Sequence, residues 1–154
     1  MSTSPLIHVD PCAFVADSDL LRVLKTRATR IHCETERIFF QQGDPPAGLF
    51  VVVEGEVALS MVSRMGRTIV SVRTGRGSLV GLPGVVGGQP YTMTATAQAG
   101  ATVDFVSQEE FLGFMHSESM LGMKLLEAMA SRVRMVLEMR EQVAKNLNAD
   151  KLAH

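Results

Sequence analysis

Between residues 29 and 107 the chain is cut into short pieces, and this constrains its fold more than any other feature. Apolar or alternating runs cover residues 38–40, 49–53, 57–62, 69–72, 92–97 and 101–106. The breaks between them are Gly43-Asp44-Pro45-Pro46, Glu54-Gly55-Glu56, Arg64-Met65-Gly66-Arg67, Gly75-Arg76-Gly77 and Ala99-Gly100. None of these runs is long enough for a helix, and glycine and proline at the breaks supply turn conformations. Many short strands at such spacing predict an antiparallel sandwich or barrel.

Helical periods flank this region. Asp17-Ser18 precedes Leu20, Leu21, Val23 and Leu24, a capped short helix with apolar residues at helical spacing. After the strands, Ser107-Gln108-Glu109-Glu110 has the form of a capping box and opens a helix carrying Phe111, Leu112 and Met115. His116-Ser117-Glu118-Ser119 breaks the chain and recaps it. The next helix is expected over residues 118–147, with no proline and one early glycine, Gly122. Roughly thirty residues reach about 45 Å, too far to lie wholly on one small sandwich. The class is therefore mainly β with α, in one structural unit. Residues 1–116 hold the strands and the N-terminal helix, and residues 117–154 form a long C-terminal helix and tail.

Leu125, Met129, Val133, Val136, Arg140, Val143 and Leu147 follow three- and four-residue steps along the long helix. They form a coiled-coil seam with one polar entry. The competing reading packs this stripe on the protein's own sheet. Leu126, Leu137 and Met139 add apolar width beyond one stripe, which favours pairing with a second copy across a two-fold axis. A homodimer through this helix is the expectation.

Composition excludes more than it proposes. The formal net charge of −1 gives no bulk attraction to nucleic acid or anionic membrane. No stretch has the length of a membrane span and none resembles a signal peptide, so a cytoplasmic protein is expected. Two cysteines, Cys12 and Cys33, are too few for a disulfide framework or an iron–sulfur cluster. Cys33 reads as a small buried hydrophobe. His8, His32, His116 and His154 are scattered, without the converging histidines and carboxylate of a metal site. No nucleophile–base arrangement can be argued from spacing. The chain is expected to be no enzyme, with no metal and no cofactor.

Three motifs in order carry a resemblance. Phe40-Gln41-Gln42-Gly43-Asp44 is followed by the hairpin entered at Leu49-Phe50-Val51-Val52-Val53 and then by Gly81-Leu82-Pro83-Gly84. With the capped short helix and the long helix behind them, they resemble the cyclic-nucleotide-binding domain of the catabolite-activator/fumarate-nitrate-regulator family. The resemblance extends over residues 20–147 and implies that the strands of residues 1–116 form an antiparallel β jelly roll, a double-stranded β-helix.

The resemblance implies a ligand site in a short loop-helix-loop, the phosphate-binding cassette, at residues 81–92. In the family, backbone N–H groups, an arginine and a small hydroxyl residue hold the phosphate, and a glutamate holds the sugar. Gly81, Gly84 and Thr92 match that pattern. Leu82 stands in place of the glutamate and Tyr91 in place of the arginine. The hydroxyl pair that reaches the base from the long helix corresponds to Val136 and Leu137. Hydrogen bonds to charged groups contribute roughly 1.5–3 kcal/mol each, so losing two forfeits about a hundred- to ten-thousand-fold in affinity. Cyclic AMP and cyclic GMP are therefore not expected to bind. An unidentified, less polar effector among Leu82, Val85, Tyr91, Val136 and Leu137 is the leading expectation, with a pocket filled by side chains as its rival.

The family's DNA reader is a helix-turn-helix module after the long helix. The seven residues after Leu147 cannot build one, and Glu127, Glu138 and Glu141 offset Arg132, Arg134, Arg140 and Lys145 on that helix. No direct DNA binding by this chain is expected. With Met1 at its start, the chain is expected to be a stand-alone regulatory sensor domain. The alternatives are the nucleotide-binding part of a transcriptional regulator without its helix-turn-helix, and a ligand-independent dimeric scaffold that docks a regulatory protein partner.

Overall fold

The structure is a computed structural model that describes residues 14–153. In chain order the elements are β1 (Phe14–Val15), α1 (Ser18–Lys25), β2 (Thr29–His32), β3 (Arg37–Phe40), β4 (Gly48–Glu54), β5 (Val57–Val62) and β6 (Thr68–Thr74). They continue with β7 (Ser78–Val80), α2 (Leu82–Gly87), β8 (Thr94–Ala97), β9 (Thr102–Ser107), α3 (Gln108–Ser117) and α4 (Ser119–Ala153). One sheet has the order β1-β7-β4-β9-β2 and the other β3-β8-β5-β6, and every pairing is antiparallel. Two antiparallel sheets with helices attached agree with the sandwich expected from the strand–turn rhythm and with the jelly roll that the resemblance implies.

A core of Phe40, Phe50, Val52, Val57, Leu59, Tyr91 and Val103 fills the space between the sheets. Phe50 sits at its centre, with ring centroids 4.6 Å from Phe39 and 5.0 Å from Phe105. A second core lies on the other face of the five-stranded sheet. There Leu49, Val51, Leu79 and Val106 meet Leu20 and Leu24 of α1, Leu82 and Val85 of α2, Phe111 of α3 and Leu125 of α4. The central strand β4 is thus covered on both faces, which accounts for its unbroken apolar run. Strand β5 is covered on one face only and alternates Val57 and Leu59 inward with Ala58 and Ser60 less buried.

The helix starts form as their sequences require. Asp17 Oδ1 accepts the Leu20 N–H at 2.9 Å, and Ser107 Oγ accepts the Glu110 N–H at 3.1 Å. The reciprocal half of the α3 capping box does not form in the expected way. The Glu110 carboxylate instead accepts from Arg27 at 3.1 Å, tying α3 to the loop after α1. Lys124 of α4 donates to Asp19 of α1 at 2.8 Å and stands 3.8 Å from Asp17. This hydrogen bond, with the charges of Lys124 and Arg22, holds the Asp19 carboxyl below the usual carboxylate range.

The long helix ends later than expected, at Ala153, and its first turns face inward. Leu125, expected on the intermolecular seam, is 5% exposed within its own domain, and Met129 packs partly against the same core. For these turns the competing reading holds. Among the described residues, Met123 and Leu137, each 56% exposed, and Leu126, 62% exposed, lie on the adjoining face. The side chains of Val133, Val136, Arg140, Val143 and Leu147 lie outside the described residues, as does Cys12. Cys33 is buried, as its apolar setting predicts. Among the described residues no helix is long and apolar enough to cross a membrane, and no His, Cys, Asp or Glu cluster could hold a metal ion.

Candidate functional site

The segment singled out at residues 81–92 leaves β7, turns through α2 and returns toward β8. Gly81 caps α2 with φ 91°, a left-handed conformation that strains other residues. Pro83 occupies the first turn, where a missing N–H costs no helical hydrogen bond. Gly88 ends the helix with φ 64° and donates to the Gly84 carbonyl.

Tyr91 dominates the site. Its ring stacks on Phe40 with centroids 3.7 Å apart and planes 15° apart, and the residue is 4% exposed. Its hydroxyl accepts the N–H groups of Ala47 and Gly48, both at 3.0 Å, and donates to the Gly48 carbonyl at 2.5 Å. One donor and two acceptor positions are all a phenol offers, so its hydrogen-bonding capacity is used up inside the protein. The main chain is gripped as well. Tyr91 N–H donates to the Asp44 carbonyl at 2.9 Å, and Gly43 N–H donates to the Tyr91 carbonyl at 2.8 Å. The Gly43-Asp44 turn is itself fixed by Asp44 Oδ2 accepting the Gln41 N–H, while the Gln42 side chain bonds both backbone groups of Val62.

The two glycines that match the cassette pattern make room for this ring. A Cβ on Gly81 would come within 3.0 Å of Tyr91 Cε1, and one on Gly84 within 3.2 Å of Tyr91 Cδ1. What is left beside the ring is a space of about 20 Å³ lined by Phe40, Leu59, Gly81, Pro83, Gly84, Tyr91, Thr92 and Met93. That volume takes about one water molecule. A drug-sized ligand needs a cleft of roughly 300 Å³ or more.

The residues expected to line one apolar pocket are thereby divided. Gly81, Gly84, Tyr91 and Thr92 surround the small space, with Thr92 exposed at its rim. Leu82 and Val85 point to the opposite side of α2, into the core beneath the helices. The Val85 carbonyl there accepts from Gln108 Nε2 of α3 at 3.2 Å. Leu137 does not line the space and is exposed; the Val136 side chain lies outside the described residues. Sequence reasoning missed Phe40 and Met93 as walls and Gly48 as the partner of the phenol. Phe40 was visible in the strand–turn motif, but as a mark of the fold.

A family model described as the cyclic nucleotide-binding domain matches residues 30–118. The chain belongs to that family. No curated protein matches the sequence. Among solved structures, this cyclic nucleotide-binding domain resembles the N-terminal domain of a transcriptional regulator from Streptomyces coelicolor A3(2). The two are 24% identical with a TM-score of 0.64, over 80% of this chain and 86% of that one. It also resembles the c-di-GMP responsive global regulator CLP of Xanthomonas campestris at 20% identity and TM-score 0.66, over 86% of this chain and 65% of that one. The catabolite activator protein of Thermus thermophilus matches at 21% identity and TM-score 0.55, over 89% of this chain and 60% of that one. The chain thus spans less than two thirds of the length of the last two. At these identities the likeness is one of fold, and the chemistry of residues 81–92 has to be argued from the residues themselves.

Proposed function

We propose that this domain is a non-enzymatic regulatory module whose nucleotide cassette is closed by Tyr91, so that its input is not cyclic AMP or cyclic GMP. The supporting observation is the saturated phenol. A phosphate entering between α2 and β8 would have to displace a ring stacked on Phe40 and break three hydrogen bonds, and it would gain no charged partner. The glutamate position offers only Leu82, which is turned away.

The output element in this reading is α4. An apolar stripe of Met123, Leu126 and Leu137 runs along it, the last two about three turns apart on one side. A second copy meeting this stripe would form a homodimer, with the seam displaced around the helix from Leu125 toward Leu126. The similar Streptomyces coelicolor domain belongs to a transcriptional regulator and the Xanthomonas campestris protein is a global regulator of gene expression, and a role in transcription regulation is the natural place for such a module. A small space beside Tyr91 also favours the reading in which the cassette is a filled relic and the domain acts as a dimeric scaffold.

Titration calorimetry separates these from nucleotide sensing. The protein is expected to give no heat of binding with millimolar cyclic AMP or cyclic GMP. Low-micromolar binding of either one by the unaltered protein overturns the proposal.

A further inference from the structure

A larger hollow lies on the helix-covered face of the five-stranded sheet, away from residues 81–92. It has a volume of about 160 Å³ and lies between α1, the middle of β4 and the Gly75-Arg76-Gly77 turn. Its floor is apolar, formed by Leu21 and Leu24 of α1 with Val51 and Val53 of β4. Three cations, Lys25, Arg30 and Arg76, and one anion, the buried Asp104, also line it.

The charges are unevenly matched. Arg30 holds Asp104 through Nε at 2.9 Å and a second nitrogen at 3.1 Å, so the one buried carboxylate is neutralised in place. Glu54 adds a further negative charge near Arg30. Lys25 and Arg76 are exposed, and among the described residues neither has a carboxylate within 4.0 Å. An apolar floor under two uncompensated cations fits a molecule with a greasy body and one negative end. An enclosed space of about 150 Å³ accommodates a benzene ring, which sets the size of the body.

We propose that this cleft binds a small amphiphilic carboxylate, its apolar body on Leu21, Leu24 and Val51 and its carboxylate between Lys25 and Arg76. An inorganic anion would leave the floor uncovered, and a neutral aromatic would leave both cations unpaired. Helix α1 also carries Asp19, which is bonded to Lys124 of α4. An occupant of the cleft therefore rests against the helix that is tied to α4, whatever fills the space beside Tyr91.

Sodium benzoate is a suitable probe, followed by amide NMR on the full chain at low ionic strength, with benzamide and sodium phosphate as controls. Benzoate is expected to give saturable shifts confined to Leu21–Lys25, the middle of β4 and residues 75–77. Benzamide and phosphate at the same concentration are expected to shift these amides at least tenfold less. The exposed double variant K25A/R76A is expected to keep a dispersed, folded spectrum and to weaken benzoate binding at least tenfold. The proposal fails if benzamide binds as well as benzoate, if the folded double variant binds undiminished, or if the shifts fall elsewhere or do not saturate. None of these results bears on whether a cyclic nucleotide binds at residues 81–92.

Discussion

The two faces of the five-stranded sheet are stabilised in different ways. Toward the other sheet, Phe40, Phe50 and Tyr91 form an aromatic layer in which the Tyr91 hydroxyl is fully paired. Toward the helices, a similarly apolar core is bordered by ion pairs, Arg30–Asp104, Arg27–Glu110 and Lys124–Asp19, and leaves a cleft open. One face leaves a space of about 20 Å³ beside Tyr91. The other has kept polar adjustable contacts where helices meet the sheet. A resemblance that marks residues 81–92 as the place to look for a ligand therefore identifies the fold and leaves the ligand open.

Substituting Tyr91 tests the aromatic face most severely. Tyr91→Ala deletes a buried aromatic and strands two backbone N–H groups, and it is expected to cost about 3–5 kcal/mol in urea unfolding. A loss below about 1 kcal/mol would mean that the ring is not the keystone of that core. Tyr91→Phe keeps the stack and removes only the hydroxyl. Its expected cost is about 1–3 kcal/mol, from the unpaired N–H of buried Gly48 in particular. If the two variants unfold at the same urea concentration, the hydrogen bonds matter and the stacking does not.

The helix-covered face should respond to pH and salt instead. The Asp19 carboxyl is held low by Lys124 in the folded protein, so its contribution is fully present above the ordinary carboxylate value of about 4 and fades as pH falls through the lower folded value. Lys124→Ala is expected to lower the midpoint of thermal unfolding slightly at pH 7 and low ionic strength, and to leave it unchanged in 1 M salt or well below pH 3. An equal loss under all these conditions would assign Lys124 a packing role and erase the contrast between the faces.

Much of this was legible in the residues. The strand–turn rhythm located most of the strands, and Asp17 and Ser107 announced the helices they cap. Strands β1 and β7, at two and three residues, are too short to show a period. The inward face of α4 at Leu125 was misread because an apolar stripe looks the same whether its partner is another chain or the protein's own sheet. For the site, the uncharged side chains of Leu82 and Tyr91 were readable and the split between them was not. Sequence order places them in one loop, but the α2 turn sends Leu82 under the helices and returns Tyr91 between the sheets. The chain's single tyrosine, set beside Pro90 at the start of a return strand, was the available signal.

Gly48 stands at the first rung of β4, and both its amide and its carbonyl end on one phenol oxygen. Any excursion that lifts Tyr91 out of its slot must also expose that rung to solvent. The Gly48 amide is therefore a natural gauge of how often the ring leaves, because its proton can trade with deuterium only while the slot stands empty.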